Sequence, residues 1–311
     1  MITVGEIAQK CGLTVVGDGS MPVSSLSYYK DASPTDLVVV FKRKEIMLTR
    51  ARAVISEPNM YLTDKTILYC IYGGLLSALD RVANYLVESG CLPDYKNLPS
   101  YHPKENGIFL GDNVLIGKDT YIAPFVTIGS DVTIGNGCCI EPNVFIGSGT
   151  EIGDGCVIHS GARIGAGSFL HYEENGNAKC FSGIGRTILK NGVEIGYNAV
   201  IQRGTLSDTI LNDRVLIGNL VVVAHDVHIG RDSRIVCQSG VAGGAELGTH
   251  VKMLGQSGVI DGVYMDDNSI LLAKSLATKN ISRGGIVSGI YGRQHREELK
   301  FQARMRKYKG D

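Results

Sequence analysis

The sequence predicts a mainly β protein: a left-handed parallel β-helix preceded by a small α/β domain and followed by a C-terminal helix. Three observations support this fold class. They are a six-residue apolar period that starts at Leu110, a first hundred residues without that period, and a helical apolar pattern near the C-terminus. Glycine supplies 40 of the 311 residues, which favours many tight turns. We place the domain boundaries at 1–100, 101–285 and 286–311.

The first domain combines helical and strand-like segments. "VGEIAQKCG" and "LLSALDRVANYLVESG" have apolar residues at helical spacing, whereas "DLVVVF" and "ARAVISE" are short apolar runs typical of buried strands. The segment 90–107 contains three prolines and few apolar residues, so it is expected to be a linker.

The central part of the chain repeats every six residues. A helix of 3.6 residues per turn cannot keep such a stripe on one face, but short strands separated by turns can. Each apolar side chain should then stack on its equivalent one turn further along, with hydrogen bonds between turns about 4.8 Å apart. The apolar positions are Leu110, Ile116, Ile122, Ile128, Ile134, Ile140, Ile146, Ile152, Ile158 and Ile164, and then Ile217, Val223, Ile229, Ile235, Val241, Leu247, Met253, Val259, Met265 and Leu271.

Two interruptions break this period. The polar segment 168–183, "SFLHYEENGNAKCFSG", is expected to leave the coil as a loop, and residues 202–213 put Ile195 and Ile201 out of step with Ile217. Loops that leave a rigid scaffold often form the walls of binding sites. An insertion without a role is the alternative, and for the shorter interruption both interpretations stay open.

Composition argues against several classes of partner. Lysine and arginine (31) balance aspartate and glutamate (31), so no net field attracts nucleic acid. No apolar run reaches the roughly 18–20 residues that a membrane span needs, so none is expected. The first twenty residues lack the pattern of a secretory signal, and the eight cysteines form no CxxC pair, which favours a cytoplasmic location.

The tail 291–311 is expected to form a helix with Phe301, Met305 and Tyr308 on one face. It carries seven basic and three acidic residues. It could bind an acidic carrier protein or nucleotide phosphates, or it could pack on a neighbouring subunit. The flat glycine-rich faces of the coil favour a homotrimer.

One stretch of the repeat contains titratable residues, "NLVVVAHDVHIG" at 219–230. Val223 takes the inward position, so His225 and Asp226 fall at a corner and His225 faces a surface or a subunit cleft. An imidazole there could take a proton from an amine or a hydroxyl, although an ordinary surface histidine is the alternative. His225 and His228 should point to different faces, and no third ligand lies nearby, so no metal is expected.

Three segments, "GVEIGYNAVIQRGTLSDTILND", "IGNLVVVAHDVHIG" and "GVAGGAELG", resemble the UDP-3-O-acylglucosamine N-acyltransferase family of lipid A synthesis. The resemblance implies that His225 is the general base, which deprotonates a sugar amine as it attacks an acyl thioester. It also implies that a backbone N–H of the stretch "AGG", that of Gly243, binds the oxyanion. The partners would be a nucleotide-linked amino sugar and an acyl-CoA or acyl carrier protein as co-substrate, without a further cofactor.

The sequence departs from the family pattern at four places. Gly262 replaces a second histidine, Gly218 an acidic residue, and Gln202 the aspartate of "DRG". The family's aromatic-rich "NPxYR"-like segment is replaced by "VVVFKRKEI", in which Phe41 could still stack on a base. We therefore predict an N-acyltransferase for a nucleotide-linked amino sugar. The lipid A enzyme proper is one alternative, and a non-catalytic scaffold or sugar-binding protein is another.

Further polar residues are candidates for the same cleft. Asn219, Gln238 and His159 could line it if a neighbouring subunit completes the site, although His159 alone is better explained as a satisfied turn residue. Asp226 could raise the basicity of His225 or contact the sugar, but an exposed corner carboxylate is the favoured interpretation. The sequence does not choose the sugar, the nucleotide, the acyl length or the donor.

Overall fold

A computed structural model describes residues 2–58, 60, 65–69, 74–94, 102–289 and 294–308. Its N-terminal domain contains a five-stranded sheet, in which the first strand is antiparallel to the second and the other neighbouring pairs are parallel. The order across this sheet is Thr14–Val16, Thr66–Tyr69, Ala53–Ile55, Asp36–Val39 and Ser25–Ser27. The predicted helices and strands are present. Their bounds are β1 Ile2–Thr3, α1 Val4–Cys11, β2 Thr14–Val16, β3 Pro22–Val23, β4 Ser25–Ser27, β5 Asp36–Val39, α2 Arg43–Leu48, β6 Ala53–Ile55, β7 Thr66–Tyr69 and α3 Gly74–Glu88.

Helix α1 shows how local sequence sets these bounds. Thr3 and Glu6 form a reciprocal capping box at its start, and Gly12 ends it in the left-handed conformation (φ 64°). Its apolar face, which includes Val4 and Ile7, is fully buried against the sheet and α3.

The predicted parallel β-helix of six-residue repeats is confirmed. Its strands form three faces, which we name face 1, face 2 and face 3 in chain order. Face 1 contains His102–Pro103, Phe109–Leu110, Thr127–Ile128, Phe145–Ile146, Arg163–Ala166, Val200–Gln202, Val222–Val223, Gly240–Val241, Gly258–Val259 and Leu276–Ala277. Face 2 contains Leu115–Ile116, Thr133–Ile134, Glu151–Ile152, Thr187–Leu189, Thr209–Leu211, His228–Ile229, Glu246–Leu247 and Tyr264–Met265. Face 3 contains Tyr121–Ile122, Cys139–Ile140, Val157–Ile158, Glu194–Ile195, Leu216–Ile217, Arg234–Ile235, Lys252–Met253, Ile270–Leu271 and Ile286–Val287.

The interior is a dry aliphatic stack. Residues of one turn pair in parallel register with their equivalents in the next, as Ile128 does with Ile146 and Ile146 with Ile164, and all three are fully buried. This is the arrangement that the apolar period predicts, because every sixth side chain must point inward to keep the core closed.

The corners are closed by side chains. At several of them a backbone N–H donates to a side-chain oxygen of the equivalent residue one turn later, as Lys118 N does to Asn136 Oδ1 (2.9 Å) and Asn136 N to Asp154 Oδ1 (2.7 Å). These ladders supply acceptors for N–H groups that the strands leave unpaired.

The coil continues past both interruptions, with one register shift between Ile164 and Ala166 just before the longer one. The predicted loop at 168–183 contains an antiparallel hairpin of Leu170–Glu174 and Asn177–Phe181. The shorter interruption adds residues to one turn, so that Ile195 pairs with Ile217 and the coil continues in phase.

The hairpin packs on the α/β domain rather than standing free. Phe181 is fully buried in the core of that domain, Tyr172 Oη donates to Asp80 Oδ2 (3.0 Å), and Arg81 Nη1 lies 3.2 Å from Glu174 Oε1. The hairpin therefore joins the domain to the coil.

The first and last described strands of the coil are His102–Pro103 and Ile286–Val287. Within the predicted linker, residues 95–101 fall outside the described part, and His102–Pro103 pairs with Phe109–Leu110. The last strand, Ile286–Val287, extends just beyond the boundary placed at 285.

The tail forms helix α4, His295–Tyr308, as predicted, with Phe301 41% and Met305 47% exposed. The side chain of Tyr308 lies outside the described part. Among the described helices, none is both long and apolar enough to cross a bilayer.

Candidate active site

His225 lies at the corner between face 1 and face 2, directly after the strand Val222–Val223. Val223 and Val227 are fully buried in the coil, whereas the His225 side chain keeps 19% of its surface exposed. Asp226 has left-handed backbone geometry (φ 58°), which turns the chain toward face 2. The periodic pattern therefore places the imidazole outside the apolar stack.

Asp226 is not the exposed carboxylate that the sequence favoured, because its side chain is only 18% exposed. Its Oδ2 accepts from His225 Nδ1 (2.8 Å) and from Thr205 Oγ1, and its Oδ1 accepts from Thr205 N (2.8 Å) and Ser207 Oγ (2.9 Å). Both oxygens are thus occupied within the chain. The structure brings Asp226 to His225 rather than to a position free to contact a sugar.

These hydrogen bonds keep the Asp226 carboxylate ionised. Burial raises the pKa of the Asp226 carboxyl, but the hydrogen bonds from His225, Thr205 and Ser207 outweigh burial and hold the pKa below its ordinary value. The anionic carboxylate orients the ring so that Nδ1 carries the proton and Nε2 has a free lone pair. Among the described residues, none is hydrogen-bonded to Nε2, so this atom is available to a substrate.

The shorter interruption of the repeat explains why Asp226 is buried. Residues 203–208 fold over it and supply Thr205 and Ser207, and Arg186 holds the loop through Asp208, with Nη2 2.8 Å from Oδ2. A Cβ at Gly204 would lie 1.6 Å from Ser207 O, so this turn requires glycine. The interruption therefore has a role, which sequence reasoning had left open.

Gly243 lies one turn above His225 at the same corner. A Cβ at this position would lie 2.5 Å from His225 Cε1 and 2.7 Å from Nε2, so the missing side chain makes room for the imidazole. At ordinary corners the N–H is capped from the next turn, as Tyr197 N is by Asn219 Oδ1 (3.0 Å). Within the described part of the chain, no acceptor binds the Gly243 N–H.

A segment of the α/β domain reaches the same corner. Lys30 Nζ lies 3.5 Å from Glu246 Oε1, and Glu246 pairs in register with His228 on face 2. Burial raises the pKa of the Tyr28 hydroxyl, and Tyr29 and the nearby carboxylates of Glu45 and Asp226 raise it further. Tyr28 is therefore a protonated hydroxyl close to the His225–Asp226 pair.

Phe41 lines a separate cleft of about 330 Å³ between the α/β domain and the hairpin. The ring is 48% exposed, and the backbone N–H of Phe41 donates to Glu45 Oε2 (2.8 Å). The other lining residues are Glu57, Gly74, Leu75, Leu76, Tyr172 and Glu173. Tyr172 is an aromatic residue that lines this cleft. It could not be recognised from the sequence, because its segment has the composition of a polar loop.

Three other candidates lie at the corner between face 3 and face 1, away from His225 in the same chain. Asn219 caps Tyr197 N, and Gln238 Oε1 accepts from Gln256. His159 is held between Glu141 (Nδ1 to Oε1, 2.9 Å) and Glu194 (Nε2 to Oε1, 3.1 Å).

The environment of His159 is that of a satisfied turn residue. Its ring stacks on Tyr197 with the centroids 4.7 Å apart. Burial lowers the pKa of His159, but the two carboxylates outweigh it and raise the pKa above its ordinary value. A base that already binds two carboxylates is poorly placed to accept a proton from a substrate.

His228 and two of the departures from the family pattern, Gly262 and Gln202, also have defined positions. His228 points outward on face 2, with Nε2 3.2 Å from Asp208 O, and the described residues hold no group of three metal-ligating side chains. Gly262 lies at the His225 corner, two turns beyond Asp226, with φ 66°. Gln202 ends the strand Val200–Gln202, and within the described part its buried Oε1 has no hydrogen-bond partner.

Comparison with known proteins agrees with this architecture. The family model "Bacterial transferase hexapeptide (six repeats)" matches residues 107–142 and 140–171. The UDP-N-acetylglucosamine O-acyltransferase of Moraxella catarrhalis is 24% identical and superposes with a TM-score of 0.52 over 64% of this chain and 76% of that one. The UDP-N-acetylglucosamine acyltransferase of Francisella novicida gives a TM-score of 0.52 at 21% identity over 62% and 73%. At this identity the likeness concerns the fold alone.

Curated relatives are more similar over a shorter stretch. The UDP-3-O-acylglucosamine N-acyltransferase of Delftia acidovorans is 31% identical over 118 residues, which is 38% of this chain and 35% of that protein. UDP-3-O-acylglucosamine N-acyltransferase 2 of Sulfurimonas denitrificans is 35% identical over 138 residues, 44% and 43% of the two chains. The chain thus matches less than half of the length of these relatives.

The coil, its corner ladders and the matched repeats give this chain the architecture of a β-helix built from six-residue repeats. The curated relatives that the chain matches carry the name UDP-3-O-acylglucosamine N-acyltransferase.

Proposed function

We propose that the protein is an N-acyltransferase that moves an acyl group from a thioester to the amine of a nucleotide-linked amino sugar. The observation that carries this proposal is the corner at which the His225–Asp226 pair faces the uncapped N–H of Gly243. A base and an oxyanion donor are what acyl transfer from an activated thioester requires. The names of the curated relatives support the same reaction.

The mechanism follows from the positions of these groups. His225 Nε2 accepts a proton as the amine nitrogen forms a bond to the thioester carbonyl carbon. The carbonyl oxygen becomes an oxyanion, to which the Gly243 N–H donates. Collapse of the intermediate breaks the carbon–sulfur bond, and the proton on Nε2 passes to the leaving sulfur. Asp226 keeps its charge throughout and stabilises the imidazolium, as carboxylates do in comparable triads.

The nucleotide-linked sugar could lie along the α/β domain, from the Phe41 cleft to His225. The Phe41 cleft offers an aromatic ring for a nucleobase. Glu45 binds the backbone of Phe41 and lies close to Tyr28, which in turn lies close to Asp226. A base bound at Phe41 would thus be joined by its phosphates to a sugar at His225.

Assembly of three chains would complete the cleft. Face 1 has His225 along one edge and Asn219 and Gln238 along the other. Exposed apolar residues lie between these edges, including Val222 (43%) and Leu276 (59%). Packing of face 1 around a threefold axis would bring Asn219 and Gln238 of a neighbouring subunit toward His225. The proposed assembly is therefore a homotrimer, and its proposed location is the cytoplasm.

The lipid A enzyme proper is the second candidate, and the names of the relatives favour it. Gly262 and Gln202 depart from that family's pattern, which favours a different amino sugar and acetyl-CoA or another acyl-CoA as donor. Helix α4 is basic and would suit either the carrier protein or coenzyme A.

Free-thiol release tests the proposal. Purified protein is incubated with a panel of nucleotide-linked amino sugars, each paired with acetyl-CoA or a 3-hydroxyacyl carrier protein, and each compared with its N-acetylated counterpart. We expect release with one amine-bearing sugar and none with the blocked sugar. Release only with the hydroxyacyl carrier would assign the lipid A reaction, and no release with any pair would support the scaffold alternative.

A further inference from the structure

We propose that Tyr28 and Lys30 bind the diphosphate of the acceptor and so fix its sugar at His225. This inference rests on the proposed function and names residues of this chain that determine acceptor specificity. Its basis is the position of the segment Tyr28–Lys30 between the Phe41 cleft and the His225 corner, together with the chemistry of its two side chains.

The segment has a fixed backbone. Tyr29 is 9% exposed and packs in an apolar cluster of the α/β domain, with its ring centroid 4.5 Å from that of Tyr28. Asp31 N donates to Tyr28 O (3.0 Å), which closes a tight turn. The side chains of Tyr28 and Lys30 are therefore presented from an anchored loop, as a positioning site requires.

Both side chains are donors suited to an anion. Lys30 carries a positive charge, and its Nζ lies 5.9 Å from the centre of the Tyr28 ring. The Tyr28 hydroxyl stays protonated near neutral pH for the reasons given above. An ammonium group and a hydroxyl on one short segment bind a phosphate oxygen through charge-assisted hydrogen bonds.

The present partner of Lys30 can be exchanged for a ligand. The Lys30–Glu246 pair is 3.5 Å long, and both side chains are 53% exposed. Exposed pairs of this kind stabilise a protein only weakly, so the doubly charged diphosphate of a nucleotide sugar competes well for the ammonium. The nearby carboxylates Glu45 and Asp226 already accept several donors each, so they do not compete strongly for Lys30.

The order of groups matches the order within a nucleotide sugar. Glu45 binds the Phe41 backbone and lies close to Tyr28, and the Asp226 carboxylate lies close to Tyr28 on the coil side. A diphosphate connects a base to a sugar, so it must pass this segment if the base is at Phe41 and the amine at His225. Lys30 lies on this path, so the diphosphate would meet its ammonium group there.

Calorimetric binding of nucleosides and their 5′-diphosphates tests this inference. The full-length protein is titrated with uridine, thymidine, cytidine and guanosine, and with the corresponding diphosphates. For the base that binds best we expect wild type to prefer the diphosphate. Lys30→Gln should reduce this preference about tenfold and Tyr28→Phe a few-fold, while affinity for the nucleoside stays unchanged.

The controls separate a specific effect from a general one. Lys30→Arg should keep the preference, and Lys10→Gln, which removes an exposed lysine elsewhere in the same domain, should match wild type. An unchanged preference in Lys30→Gln would overturn this inference alone, provided that the wild type still releases thiol. If wild type binds none of the diphosphates and releases no thiol, both this inference and the proposed function fail.

Discussion

His225, Asp226 and Gly243 distinguish one corner of the coil from the others. At several other corners a side chain caps the N–H of the turn below, as Asn136 caps Lys118. Here glycine at 243 provides no cap, and the imidazole of His225 occupies the space instead. The missing side chain at 243 thus makes room for the base, and the Gly243 N–H, which has no acceptor in the described part of the chain, lies beside it.

Substitution Gly243→Ala tests whether this space matters. The added Cβ would displace the His225 ring, because it would lie 2.5 Å from Cε1. We expect kcat to fall at least about tenfold, since small displacements of a general base are costly. Gly255 takes the equivalent place in another corner, where a Cβ would meet nothing closer than 3.7 Å, so Gly255→Ala should keep wild-type kcat. Equal activity of the two variants would contradict the account.

The charge of Asp226 should be visible in the pH dependence of stability. Its pKa is lowered in the folded protein, so the anion stabilises the fold above the unfolded pKa of about 4, and this contribution is lost as pH falls through the folded pKa. We expect Asp226→Asn to be destabilised by about 2 kcal/mol above pH 5, with the difference from wild type shrinking at lower pH.

Urea denaturation at a series of pH values from 3 to 8 measures this difference. Asp261→Asn is the control, because Asp261 is an exposed residue of the same corner, and it should follow the wild-type profile. A difference for Asp226→Asn that is constant down to pH 3 would show that the carboxylate is not preferentially ionised in the fold.

At the scale of secondary-structure elements, the sequence predicts those features of the coil that follow from its six-residue repeat. Six-residue periodicity determines which side chains point inward, so the three faces and the corner position of His225 could be predicted. It says nothing of segments that leave the coil. The burial of Asp226 depends on Thr205 and Ser207, which lie in a break in the period. The hairpin could not be predicted either, because its sequence is mostly polar and Phe181 is its one fully buried side chain among the described residues.

Phe181 gives a test of that hairpin. It is fully buried in the core of the α/β domain, so Phe181→Ala should lower the free energy of unfolding by about 3–5 kcal/mol through the cavity it leaves. Phe169 lies just before the hairpin and is 69% exposed, so Phe169→Ala should change stability by less than about 0.5 kcal/mol. Denaturant unfolding measures both, and similar effects would mean that the hairpin does not join the two domains.

At the scale of the whole molecule, we propose that assembly of three chains completes the site. Face 1 carries apolar residues and two glycines, Gly240 and Gly258, in adjacent strands, which gives a flat surface for a second chain. The charged outward residues of face 2, such as Glu246, and of face 3, such as Arg234 and Lys252, do not favour the same packing.

Light scattering after size-exclusion chromatography tests this assembly. We expect wild type to have the mass of three chains and Leu276→Glu on face 1 to dissociate, because a buried unpaired carboxylate is costly. Leu115 on face 2 is similarly exposed, at 65%, so Leu115→Glu should remain trimeric. A monomeric wild type, or two variants that both stay trimeric, would contradict the proposed interface.

The central claim is that His225 is the base in acyl transfer, and kcat at saturating donor and acceptor tests it most directly. His225→Ala is compared with His228→Ala, which removes an outward histidine three residues away. The account predicts a loss of about 10²–10⁴-fold for His225→Ala with unchanged folding, and near wild-type kcat for His228→Ala. A His225→Ala enzyme that turns over within a few-fold of the His228 control would contradict it.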